Sequence, residues 1–179
     1  MRKWIVLVLV LIAASSCADT LSVLFSMSFI STLKKVSGQS ITTEEGKTRI
    51  SLGFDNGTAT DSAEANAVYN VRGEVTSAAA VVYDLGSLSD ALGNTVTFNR
   101  VKIFAFRNLD ASDSVTIGSG STPFAFDAAT SSVLTVGPMG ARVILCPYAG
   151  LDASVTNRII YINTSGDLAS YDLSIAGTE

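Results

Sequence analysis

Histidine is absent from this 179-residue chain, and its absence removes a class of chemistry. Without imidazole there is no Ser-His-Asp or Cys-His nucleophile and no histidine-based zinc site, so most hydrolase chemistry goes with it. Cysteine is nearly as scarce, with Cys17 and Cys146 the two present. If Cys17 is removed or lipidated, Cys146 is left alone and no internal disulfide braces the fold; a bridge between them requires an intact, unmodified N-terminus. Cys146 follows the apolar run Val143, Ile144 and Leu145, which favours a buried, inert thiol. Charge is sparse as well: 16% of residues are charged, against about 25% in an average soluble domain. A thin charge coat suits a surface covered by other subunits, and it equally suits an Ala/Ser-rich secreted domain. With Arg2 and Lys3 set aside, ten basic residues face sixteen acidic ones, a net charge of −6 on residues 18–179. The basic residues are scattered and form no stripe that would neutralise a phosphate backbone, so direct nucleic-acid binding is not expected.

Nor is there an apolar run of the roughly 20 residues that a membrane-spanning helix needs. The longest begins at Trp4 and stops near Ala14, behind Arg2 and Lys3 and ahead of Ser15 and Ser16. That order of basic, apolar and small polar residues is the layout of a secretory signal peptide, so residues 1–17 read as a signal-like segment and residues 18–179 as the folded domain. Cys17 stands where a lipoprotein signal places its modified cysteine, although Ala14 occupies the position usually held by Leu. Cys17 and Ala18 are thus the candidate lipidation or cleavage residues, with an uncleaved hydrophobic N-terminal helix as the other reading. The membrane is a partner only through this segment, if it is retained or lipidated.

What the chain does have is alternation. Leu21, Val23, Phe25, Met27 and Phe29 fall on one side of a strand, against Ser22, Leu24, Ser26 and Ser28 on the other. This strand pairs within its own sheet or completes a neighbouring subunit, which makes those five residues the candidate intersubunit strand. Residues 101–107 alternate with apolar groups on both sides, as in a strand inside a sandwich, and residues 114–118 resume the pattern as the second arm of a hairpin. Residues 34–47 are polar without periodicity and read as a loop or weak edge strand. Residues 86–94 allow one helical turn through Leu88 and Leu92. Turn signals at Asn56-Gly57 and Pro138-Met139-Gly140 punctuate the rest. The count is about ten short strands, and the fold expected is an all-β, single jelly-roll-like antiparallel β-sandwich behind the signal-like segment.

Motifs for chemistry are missing. There is no phosphate-cradling or dinucleotide glycine loop, and Asp110 and Asp113 sit in a turn, where aspartate serves local hydrogen bonds. No cofactor and no metal site is expected. Lys102, Arg107, Asp84 and Asp172 lie in or beside strands, where they pair within the sheet or across a subunit boundary. Tyr148 and Tyr161 are the weakest of candidates for glycan contact.

From Val82 onward the chain resembles small virion proteins of tailed bacteriophages, of the capsid-decoration or fibre-like kind. The resemblance rests on Tyr83-Asp84-Leu85 with Leu88, Asp90 to Phe98, Val101-Lys102, Arg107-Asn108-Leu109, Val115 to Gly118, Val136 to Gly140, Ile160 to Asn163, and Tyr171-Asp172-Leu173 with Gly177. It covers about half the chain and, more weakly, residues 21–29. It implies a jelly-roll sandwich that coats or projects from a particle without a catalytic site, self-associating as a homo-oligomer, by analogy a trimer, beside other particle subunits. The chain departs from such proteins in its export-like N-terminus and in Met139, where a second glycine is usual. The expectation is therefore a non-enzymatic structural protein located in a virion. The alternative is an exported or lipid-anchored subunit of a surface filament or adhesin, secreted or at the cell surface, that polymerises by donating its N-terminal strand.

Overall fold

The computed structural model describes residues 6–13, 23–37, 40–54, 64–90, 93–118, 124–126, 133–153 and 158–179. Every element among the described residues is a strand, and all pairings are antiparallel. The chain divides into two compact units, Met1–Phe54 and Asp55–Glu179.

The first unit is a three-stranded sheet of β1 (Val6–Ala13), β2 (Val23–Ser37) and β3 (Ser40–Phe54), with β2 in the middle. Fifteen-residue strands such as β2 and β3 run for about 50 Å. Their pairing continues to Ser37 opposite Ser40, so residues 34–47, expected as a loop or weak edge, are mostly the far half of a ladder. Residues 31–37 and 40–48 are largely polar on both sides, so no apolar alternation marks them, yet backbone pairing needs none.

The second unit comprises β4 (Ala67–Thr76), β5 (Val81–Asp84), β6 (Leu88–Ser89), β7 (Thr95–Val96), β8 (Arg100–Asn108), β9 (Val115–Ile117), β10 (Leu134–Val136), β11 (Ala141–Leu145), β12 (Leu151–Asp152), β13 (Ile159–Thr164) and β14 (Leu168–Thr178). One sheet runs β10-β9-β13-β5; the other runs β11-β8-β14-β4, with β12 also on β8. The chain passes repeatedly from one sheet to the other, and both contribute to one core. Val115, Ile117, Ile160 and Ile162 of the four-stranded sheet join Phe104, Phe106, Tyr171, Leu173 and Ile175 of the five-stranded sheet. Phe106 stacks on Tyr171 at 5.3 Å between centroids, and Phe126 meets Phe104 edge-on at 4.7 Å. Residues 124–126 form a plug and not a strand. Phe124 N–H donates to the Ile159 carbonyl, and both phenylalanines are buried.

Three local expectations need correcting. The arms 101–107 and 114–118 are not a hairpin: β8 lies in one sheet and β9 in the other. Alternation reports a half-buried strand but not its partner, and the intervening loop crosses the core edge instead of doubling back. The helical turn expected within 86–94 is replaced by the β6–β7 ribbon. Asp90 accepts from the Asn94 backbone N–H at 2.8 Å, and Gly93 adopts φ +83°, which closes a tight turn. Within β8, the strict split of odd from even residues fails at Lys102, which has no residue opposite it on β14. This bulge puts Val101 in the same core as Phe104 and Phe106. The strand count also differs, with fourteen among the described residues. The Asn56-Gly57 turn lies outside the described residues, as do residues 119–123, 127–132 and 154–157.

Candidate assembly surfaces

The polar side chains of the second unit mostly hold turns. Asn108, wholly buried at the end of β8, donates through Nδ2 to the carbonyls of Asp113 (2.7 Å), Gly137 (3.1 Å) and Val136 (3.3 Å). Its Oδ1 accepts from the Asp110 N–H at 3.0 Å. One side chain thereby ties the loop after β8 to the turn between β10 and β11. In that loop the Asp110 carboxylate accepts from the Asp113 and Ser112 N–H groups and from the Ser112 hydroxyl, which holds it below the ordinary aspartate range. The local role expected for aspartate in this turn is the one Asp110 plays.

The adjoining turn is strained. Gly140 N–H donates to the Gly137 carbonyl with Pro138 and Met139 between them, and Met139 sits at φ +52° with 58% of its surface exposed. A non-glycine residue in this left-handed region costs on the order of 1 kcal/mol. The Met139 N–H donates to the Asp110 carbonyl at 2.7 Å, so the neighbouring loop enforces the conformation. Met139→Gly is accordingly expected to raise stability by about 0.5–1 kcal/mol, seen as a thermal midpoint a few degrees higher. An unchanged or lower midpoint would show that the turn is not strained.

Lys102, at the bulge, is 1% exposed, and its ammonium donates to the Tyr148 carbonyl. The Gly150 N–H donates to the Cys146 carbonyl at 3.1 Å, closing a turn whose tip presents Tyr148 with 65% of its surface exposed. Cys146 is half-buried where this turn begins, less enclosed than its apolar approach implied. Tyr161, the other aromatic candidate, lies opposite Val82 in the register of β13 and β5; Val82 is exposed, and the two make a small apolar spot on the outer face of the four-stranded sheet. Both aspartates in question pair within the chain: Asp172 takes Arg72 through both oxygens (2.7 and 3.1 Å), and Asp84 takes Arg158 at 2.8 Å. Arg107 lies exposed across from Asp172 on the other side of β14.

Across the core, the hydroxyls of Tyr83 and Tyr171 meet at 2.8 Å and join the two sheets, with the Tyr69 ring against Tyr83. Burial raises the pKa of all three phenols, and the Tyr83 contact raises Tyr171 further. An acid whose folded pKa is raised contributes stability that is full below its unfolded value, about 10 for tyrosine, and is lost as pH climbs toward the folded value. The protein is therefore expected to weaken above about pH 10, with the phenolate absorbance of Tyr171 appearing only as the fold is lost. Phenolate absorbance from Tyr171 in a still-folded protein would contradict this.

Of the expected intersubunit residues, Val23, Phe25, Met27 and Phe29 lie on β2, whereas Leu21 lies outside the described residues, as do Cys17 and Ala18. The register sets these four opposite Phe54, Leu52, Ile50 and Thr48 on β3 and opposite Ala13, Leu11, Leu9 and Leu7 on β1. Since residues opposite one another in an antiparallel pair share a face, eleven of these twelve positions form one apolar face. The alternation of β2 was legible in the sequence, but its partners were not. Asn108 and the bulge at Lys102 carried no sequence signal either.

Among the described residues no group of three or more Cys, Asp or Glu side chains is placed to hold a metal ion. No helix among them is long and apolar enough to cross a membrane, which leaves crossing by strands unaddressed. Comparison with family models, curated proteins and solved structures finds no match.

Proposed function

We propose that this chain is a non-enzymatic structural subunit of a virus particle, a jelly-roll-like coat-decoration or fibre-like protein that self-associates through its β-structure. The observation carrying the reading is the path of the chain, which passes repeatedly between two antiparallel sheets around one core. That path supports a jelly-roll type of sandwich, and the sequence likeness to phage virion proteins points to the same architecture. Its buried polar groups support the reading too. Asn108 and Lys102 hold exposed turns in place, which suits a rigid block whose loops meet other subunits. The protein is expected to form a stable homo-oligomer, a trimer by analogy, when its mass is measured by light scattering over a range of concentrations. A monomer at every concentration would overturn the proposal.

A second reading, an exported or lipid-anchored subunit of a surface filament or adhesin, rests on the signal-like layout of residues 1–17. The strand expected to be donated between subunits, β2, is the middle strand of a sheet of its own, which leaves export standing without supporting donation of that strand. Intact mass and N-terminal sequence of the native protein separate the two. A chain beginning at Cys17 or Ala18 supports export, and an unprocessed chain in particle-sized material supports the virion.

A further inference from the structure

Among the described residues of the first unit, β1 covers Val23 to Ile30 of β2, so β2 has two partners over these eight residues and β3 over residues 31–37. All of β1 precedes Cys17, inside the segment with the layout of a cleaved signal. Processing at Cys17 or Ala18 would therefore remove the strand that closes this edge of β2. The edge left behind, Val-Leu-Phe-Ser-Met-Ser-Phe-Ile, contains no charged residue and no proline. Those are the devices by which sheets protect an open edge, and without them the edge is a template for another strand. The pairing with β1 shows that it accepts an apolar antiparallel strand of eight residues.

We propose that in the processed protein this edge is closed by β2 of a second copy, running antiparallel about a two-fold axis. The inference rests on the reading of residues 1–17 as a removed segment, and so on the exported reading above, with two-fold pairing in place of strand donation. β2 is its own complement when Ser26 meets Ser26 of the second copy: Val23 then lies opposite Phe29, Phe25 opposite Met27, and Leu24 opposite Ser28. Apolar positions meet on one face and mainly small polar ones on the other. The result is a four-stranded sheet, β3-β2-β2-β3, in which the apolar face formed with Ile50, Leu52 and Phe54 runs on across the axis. Two-fold pairing uses the same edge on both copies and so closes on itself, unlike head-to-tail addition. Charge does not oppose it, because residues 18–54 carry four basic and three acidic groups.

The test uses the mature chain beginning at Ala18, with Cys146 replaced by Ser and a single cysteine introduced by Ser26→Cys. Residues opposite one another across an antiparallel pair have Cα atoms about 4.5–5.5 Å apart, within disulfide reach. Mild oxidation is expected to link most of the protein as a dimer. In the control Leu24→Cys the two cysteines would lie about 14 Å apart and should stay largely unlinked. Met27→Lys is expected to abolish the dimer while leaving the far-ultraviolet strand signal of the mature chain at its unsubstituted strength, which separates loss of pairing between copies from loss of the first unit's own sheet. A mature chain that is monomeric and gives no Ser26→Cys link, alone or bound to phosphatidylcholine vesicles, would overturn the inference. So would a native chain that keeps residues 1–17. Larger particles that form without the link would overturn it too, while leaving the assembly reading intact.

Discussion

Gly177→Ala is expected to destabilise the second unit by about 3 kcal/mol or more, at the upper end for overpacking. Gly177 lies where β14 meets Val101 on one side and Ala67 on the other. A Cβ built there falls 1.9 Å from the Arg100 carbonyl oxygen and 3.1 Å from the Phe98 ring. Neither neighbour can move cheaply. The Asn99 N–H donates to the Thr178 carbonyl, and the Asn66 N–H donates to the Gly177 carbonyl, so the backbone is pinned on both sides of the site. Relief requires parting β8 from β14, the two central strands of the five-stranded sheet, beside the bulge at Lys102. With a domain's total stability of about 5–15 kcal/mol, the variant should show a much lower urea midpoint or fail to fold. Gly137→Ala is the matched control, with nothing within 4 Å of its Cβ and an expected change within about 0.5 kcal/mol. A Gly177→Ala midpoint equal to the control's would refute the packing.

Asn108→Asp keeps the shape of the side chain and reverses its chemistry. The buried Nδ2 that donates to three carbonyl oxygens would be replaced by an oxygen facing the same three. Ionised, that carboxylate is an uncompensated buried charge, and the expected cost near neutral pH is about 3–5 kcal/mol. The single N–H from Asp110 offsets little of it. The cost should depend on pH in a definite sense. The surroundings raise the folded-state pKa of the introduced carboxyl above its unfolded value of about 3.9. Relative stability is therefore recovered in part below that value, where the group is neutral in both states, and is lost as pH rises through the folded pKa. Urea unfolding of wild type and N108D at acidic and neutral pH reads this directly; a penalty independent of pH would show that the side chain is not enclosed as described. Because Asn108 ties two exposed turns to β8, the variant should also loosen Met139 and the loop around Asp110.

The all-β class followed from the sequence because alternation is a local property: Val115 and Ile117, or Tyr171, Leu173 and Ile175, betray a one-sided strand whatever it pairs with. The absence of histidine likewise shows from composition alone that the sequence offers no histidine-based nucleophile and no histidine ligand for zinc. The turn role of Asp110 was readable for the same reason, since its acceptors and donors lie within three residues of one another. The sequence could not reveal partnership. That β8 pairs with β14 and β11 instead of with β9 depends on groups far apart in the chain. So does the work of Asn108, whose carbonyl partners lie up to 29 residues away. The buried position of Lys102 follows from a one-residue bulge that Gly177 makes room for, and only the folded sheet brings the two together. Polar strand halves such as Ser31–Ser37 stayed hidden because backbone hydrogen bonds leave no mark on composition. Local pattern thus set the kind of structure, and long-range packing and hydrogen bonding chose the arrangement.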